Sequence, residues 1–167
     1  MKLGYSGELK IIHKNNKFIA HNNGTRHLFQ LLTSILSGNN FSMKNLPAKF
    51  DLVNKPSTQV LTDGTINSSD SVLTSRLIVT KNMTLDEELN PHLEITSVLS
   101  SGNISNTSTA ITGNLTLVLL PNDGNTVLAA VDYDINSYNQ LLRGGQAQLI
   151  WTLTIENKWG NKYVHCI

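Results

Sequence analysis

From Gln146 to Glu156 the chain alternates strictly. Ala147, Leu149, Trp151, Leu153 and Ile155 fall on one face, and Gln148, Ile150, Thr152, Thr154 and Glu156 on the other. Side chains leave a β-strand on opposite faces with a period of two, so this segment reads as a strand with one face buried. Alternation of this kind marks a half-buried strand of an antiparallel sheet. The same period recurs at Lys49 to Asn54, Ser71 to Thr80, His92 to Leu99, Asn114 to Leu120 and Thr126 to Tyr133. In Ser71 to Thr80, Ser75, Leu77 and Val79 oppose Thr74, Arg76 and Ile78; in Asn114 to Leu120, Leu115, Leu117 and Leu119 share a face. One-sided alternation is the mark of antiparallel sheets. The connections are polar and turn-rich: Asn54 to Ser57, Thr62 to Thr65, Gly102 to Thr109, and Pro121-Asn122-Asp123-Gly124-Asn125, whose Asp-Gly is a hairpin signal. The expectation is a mainly β fold, an antiparallel β-sandwich of jelly-roll or Greek-key type.

The N-terminal part differs. Glu8 to His13 and Phe18 to Ala20 read as two strands of a hairpin joined by Lys14-Asn15-Asn16-Lys17, where Asn tolerates positive φ. Asn22-Asn23-Gly24-Thr25 then offers a helix start. Leu28, Leu31, Leu32, Ile35 and Leu36 follow at helical spacing, and Gly38 marks a stop, which predicts one amphipathic helix. No linker or repeat interrupts the rest. Residues 1–167 are therefore read as a single domain, with hairpin plus helix in 1–45 and the sandwich strands in 46–167.

Composition narrows the function. Charged residues make up only 15% of the chain, and the net charge is +1. Neutral polar side chains take their place: 20 Asn, 15 Ser and 16 Thr account for 51 of 167 residues. With no basic cluster, the sequence argues against nucleic acid as a partner. No apolar run approaches the roughly 20 residues of a spanning helix, which argues against a membrane-crossing one. Cys166 is the only cysteine, so no intrachain disulfide forms. Met1 to Gly7 has no apolar leader core, so folding in a cytoplasm is expected.

No cofactor or catalytic set is expected from the residues. Asp132-x-Asp134-x-Asn136 opens like a calcium loop, but the glycine position holds Ser137 and the closing glutamate position holds Arg143. It reads as a strand end and polar turn. His13, His21, His27, His92 and His165 show no metal-ligand spacing. His165 and Cys166 are sequence neighbours, which in a strand point apart. Leu141-Leu142-Arg143-Gly144-Gly145 precedes a strand rather than a helix, so it is a turn and not a phosphate loop. Asp86-Glu87-Glu88 reads as a solvated acidic loop. The chain is not expected to be an enzyme.

The run Ala20-His21-Asn22-Asn23-Gly24-Thr25, followed by Leu28-Phe29-Gln30-Leu31-Leu32 and Gly38, resembles the start of small virion proteins of tailed bacteriophages. Leu149-Ile150-Trp151-Thr152-Leu153-Thr154-Ile155-Glu156-Asn157 resembles the last core strand of such proteins. The resemblance implies a virion structural protein made in the host bacterial cytoplasm: a capsid decoration protein, a head-fibre base, or a neck or tail component. Its expected partners are other virion proteins and further copies of itself, as a homo-oligomer. Trp159, Tyr138, Tyr163, Phe18, Asn22 and Asn23 are the candidate interface residues. The alternative reading is a carbohydrate-binding β-sandwich for host adsorption, with Trp159, Tyr138 and Tyr163 as its sugar platform.

Overall fold

A computed structural model describes residues 3–22, 46–85, 87, 91–105 and 113–157. The expected helix after Asn23, and the tail holding Trp159, Tyr163, His165 and Cys166, lie outside these. Nine strands form two antiparallel sheets among the described residues. They are β1 (Leu3–His13), β2 (Asn16–Asn22), β3 (Pro47–Val53), β4 (Leu77–Ile78), β5 (Thr80–Leu85), β6 (Pro91–Ser100), β7 (Leu115–Pro121), β8 (Ala129–Tyr133) and β9 (Gln146–Asn157). One sheet runs β2-β1-β9-β6-β5 and the other β4-β3-β7-β8.

The strand with the clearest alternation sits at the centre of the five-stranded sheet. β9 pairs with β1 on one edge, Leu9 opposite Trp151, and with β6 on the other, Ile95 opposite Trp151. Its apolar face joins Leu9, Ile11, Ile95 and Leu99 with Phe50, Leu52, Leu115, Leu117, Leu119, Ala129 and Val131 of the second sheet in one buried cluster. Phe50 and Trp151 stack across the cluster with ring centroids 5.7 Å apart and planes 26° apart, an offset geometry that adds to simple burial. The N-terminal hairpin is part of this sheet, not an appendage.

The hairpin turn departs from expectation in one detail. His13 pairs with Asn16 across a two-residue turn, and Lys14, not an asparagine, takes the positive φ of 55°. Ser71 to Thr80 is not one strand. Ser71 and Leu73 make single bridges to Val53 and Ile104, β4 is two residues long, and at Val79 the chain leaves β4 to start β5 in the other sheet. Hydrogen bonds explain the break. Ser71 donates its hydroxyl to buried Asp51 and Arg76 donates to the same carboxylate, so both side chains turn into β3 instead of alternating.

Two helices replace expected turns. α1 (Ser57–Asp63) starts after Pro56 and stops at Gly64, whose φ of 72° lets its N–H reach the Val60 carbonyl at 3.0 Å. α2 (Ile135–Leu142) starts at Asp134, whose carboxylate accepts from the Ser137 N–H at 2.9 Å and the Ser137 hydroxyl at 2.8 Å. α1 explains why every residue of β7 is buried. Leu115, Leu117 and Leu119 face the main core, while Val118 and Leu120 pack with Val53, Val60, Ile66, Val127 and Ala130 in a second cluster on the opposite face.

Candidate protein interface

The two sheets treat their outer faces differently. That of the four-stranded sheet is occupied by the second apolar cluster. Among the described residues, none of those facing outward from the five-stranded sheet is buried. Strand register lays them out in rows. One row reads Ile19, Lys10, Ile150, Thr96 and Thr80; the next reads Lys17, Ile12, Gln148 and Val98; a third reads His21, Glu8, Thr152, Glu94 and Asn82.

Within the first two rows Ile19, Ile12, Ile150 and Val98 occupy successive diagonal positions, a spacing at which long side chains touch. Ile19 is 43% exposed and Val98 49%. The result is a zigzag of aliphatic groups crossing four strands, set among lysines, hydroxyls and amides. Cores of protein interfaces combine apolar anchors with a polar surround that hydrogen-bonds without isolated buried charges. His92 and Thr154 add a hydrogen bond of 2.7 Å at one border of the face.

Those sequence-derived interface residues that are described fall elsewhere. Tyr138 is a core residue of α2, 1% exposed, and presents no surface. Phe18 is half-buried opposite Ile11 and packs on the main core. Asn22 ends β2 opposite Gly7. Asn23, Trp159 and Tyr163 lie outside the described residues. Sequence reasoning missed Ile12, Ile19, Ile150 and Val98. Their signal was present as apolar residues on the polar phase of otherwise alternating strands.

Two polar features tie the scaffold together. Asp51, 2% exposed, accepts from the Leu52 N–H at 2.8 Å, from the Ser71 hydroxyl and from Arg76 Nε at 3.4 Å. Arg76 also donates to the Gly124 carbonyl at 2.8 Å and to the Asn125 side chain, so one guanidinium ties β3 to the β7–β8 turn. Lys55 and Asp70 form an ion pair at 3.0 Å, and hydrogen bonding to Asp70 raises the lysine pKa. At the C-terminal end of β1, buried His13 has both ring nitrogens without a hydrogen-bond partner among the described residues, beside Gly145. Among the described residues no three His, Cys, Asp or Glu side chains converge as metal ligands, and no helix is long and apolar enough to cross a membrane.

Comparison with family models, curated proteins and solved structures finds no match for the chain.

Proposed function

We propose that the chain is a structural component of a tailed-phage virion, a non-catalytic β-sandwich of jelly-roll or Greek-key type that binds neighbouring capsid or tail proteins. The observation that carries this reading is the asymmetry of the two sheets. The four-stranded sheet has apolar packing on both faces, while the outward residues of the five-stranded sheet form a broad field of hydroxyl, amide, aliphatic and a few charged groups, with none buried among the described residues. A field of this kind suits a flat protein neighbour. The resemblance of residues 20–38 and 149–157 to small virion proteins supplies the setting. Mass spectrometry of purified particles from a phage that encodes the chain tests the reading. Recovery at a fixed ratio to the major capsid or tail protein supports it. Absence from particles, with the chain present in the infected-cell lysate, overturns it.

A further inference from the structure

His13 is 4% exposed, and neither of its ring nitrogens has a hydrogen-bond partner among the described residues. A neutral imidazole carries one donor and one acceptor nitrogen, so the fold holds both unpaired at the end of β1. An unpaired buried polar group costs stability, and a buried charge without a partner costs far more. The cover over the ring is thin. A Cβ built on Gly145 would stand 3.2 Å from His13 Nε2, so the Gly145 backbone lies against the imidazole, yet Gly145 is itself exposed. Gly144 and Gly145 take φ of 110° and 97°, a region open mainly to glycine. On the other side of this turn the Ser101 N–H donates to the Gly145 carbonyl over 3.4 Å. Two glycines, held there by one long hydrogen bond, thus stand between a buried histidine and water.

The surrounding segments offer a proton on His13 no counter-ion. The β1–β2 turn brings Lys14 and Lys17 and the α2–β9 turn brings Arg143, all exposed cations. α2 contains no charged residue, and neither Gln146 to Ile155 of β9 nor Ser97 to Ser105 contains one. Glu8 on β1, His21 on β2 and Glu94 on β6 share a row on the opposite face of the sheet. On β8, which packs against β2, Asp132 is exposed and Tyr133 is a buried phenol; Asp134 caps the start of α2, the end away from Gly145. We propose that His13 and the Gly144–Gly145 turn form an acid-sensitive latch, in which protonation of the imidazole opens the turn and frees the end of the β1–β2 hairpin. In the closed latch the ring is neutral. In the open one it reaches water and takes up a proton below about pH 6.5, as an ordinary histidine does. Closure is favoured above that pH, and its advantage is lost as pH falls below it, by about tenfold per pH unit for one proton. Ile12 and Lys17 of the open sheet face are opposed beside His13, so opening unseats one end of that face. This use of the latch rests on the assembly reading; the latch itself does not.

Amide hydrogen exchange of the full-length chain between about pH 7 and pH 5, corrected for the intrinsic pH dependence of exchange, tests the latch. The Ser101 amide reports the contact with Gly145, and the Val118 amide, in the middle of β7, reports opening of the whole fold. In the wild type, protection of Ser101 is expected to lie below that of Val118 at every pH and to fall about tenfold from pH 6 to pH 5. His13→Phe and His13→Leu fill the same place with groups that cannot titrate. In either variant that keeps the wild-type circular dichroism, Ser101 protection is expected to stay constant over this range. Wild-type Ser101 protection that does not change with pH overturns the proposal, and wild type alone suffices for that result. Equal protection at Ser101 and Val118, or the same fall with acid in a folded His13 variant, overturns it as well. Exchange that ignores pH in a chain found in virions would overturn the latch and leave the virion reading intact; an acid-opened latch in a chain absent from virions would do the reverse.

Discussion

Tyr133 ends β8 with its side chain 3% exposed and its hydroxyl without a hydrogen-bond partner among the described residues. An unpaired buried hydroxyl costs stability, and its removal leaves the ring's packing in place. Tyr133→Phe is expected to leave stability unchanged or raise it by about 1 kcal/mol in urea unfolding. Burial also raises the Tyr133 phenol pKa well above its ordinary value, with Asp134 and Tyr138 adding to the effect, and burial raises that of Tyr138. The folded chain thus keeps protons that the unfolded chain loses near pH ~10. This contribution to stability is fully present below the unfolded value and is lost as pH rises through it toward the folded value. Urea midpoints measured across alkaline pH should fall steeply for wild type and less steeply for Tyr133→Phe.

Arg76 makes the opposite case at the same scale. Truncation to alanine leaves the Asp51 carboxylate buried with only the Leu52 N–H and the Ser71 hydroxyl, and frees the β7–β8 turn. Removing one partner of a buried pair costs about 3–5 kcal/mol; since Arg76 is partly exposed, Arg76→Ala is expected near the lower figure in denaturant unfolding. The sequence shows Arg76 only as one polar position in an alternating run. Its partner lies 25 residues away, and nothing in the local pattern points to it.

At the scale of elements, legibility follows period and length. β9, β6 and the hairpin were readable because each has one buried and one open face, so that burial prints the strand period on the sequence. β7 was readable as a strand, but not as one covered on both sides. Leu115, Leu117 and Leu119 gave the first face, and Val118 and Leu120, which signalled the second, had no visible cover until α1 was seen above them. The two short helices were lost because seven or eight residues hold too few turns for an apolar stripe to stand out from polar loop chemistry. α2 nevertheless carried a start signal, Asp134 followed three residues later by Ser137. The interface residues on the open sheet were missed for a related reason: an isoleucine on a polar phase looks like noise until its neighbours in space are known. The capping reading of α2 has its own check. Asp134→Ala removes the acceptor from both Ser137 groups and is expected to cost about 1 kcal/mol, seen as a lower thermal midpoint.

At the scale of the molecule, the open sheet face combines an aliphatic centre with hydroxyls, amides and four charges, Glu8, Lys10, Lys17 and Glu94, which a protein neighbour would have to pair or leave at the wet rim. The aliphatic zigzag of Ile19, Ile12, Ile150 and Val98 would anchor that contact, with Lys10, Gln148 and Thr96 around it. For the proposed virion role, the most direct test is re-attachment of purified chain to particles of a phage that encodes it, grown without it, comparing wild type with Ile150→Glu. Ile150 is only half-buried, so the variant is expected to keep its fold by circular dichroism. Wild type is expected to pellet with the particles to saturation, while folded Ile150→Glu stays in the supernatant. Equal pelleting of the two, or no pelleting of wild type, would contradict it.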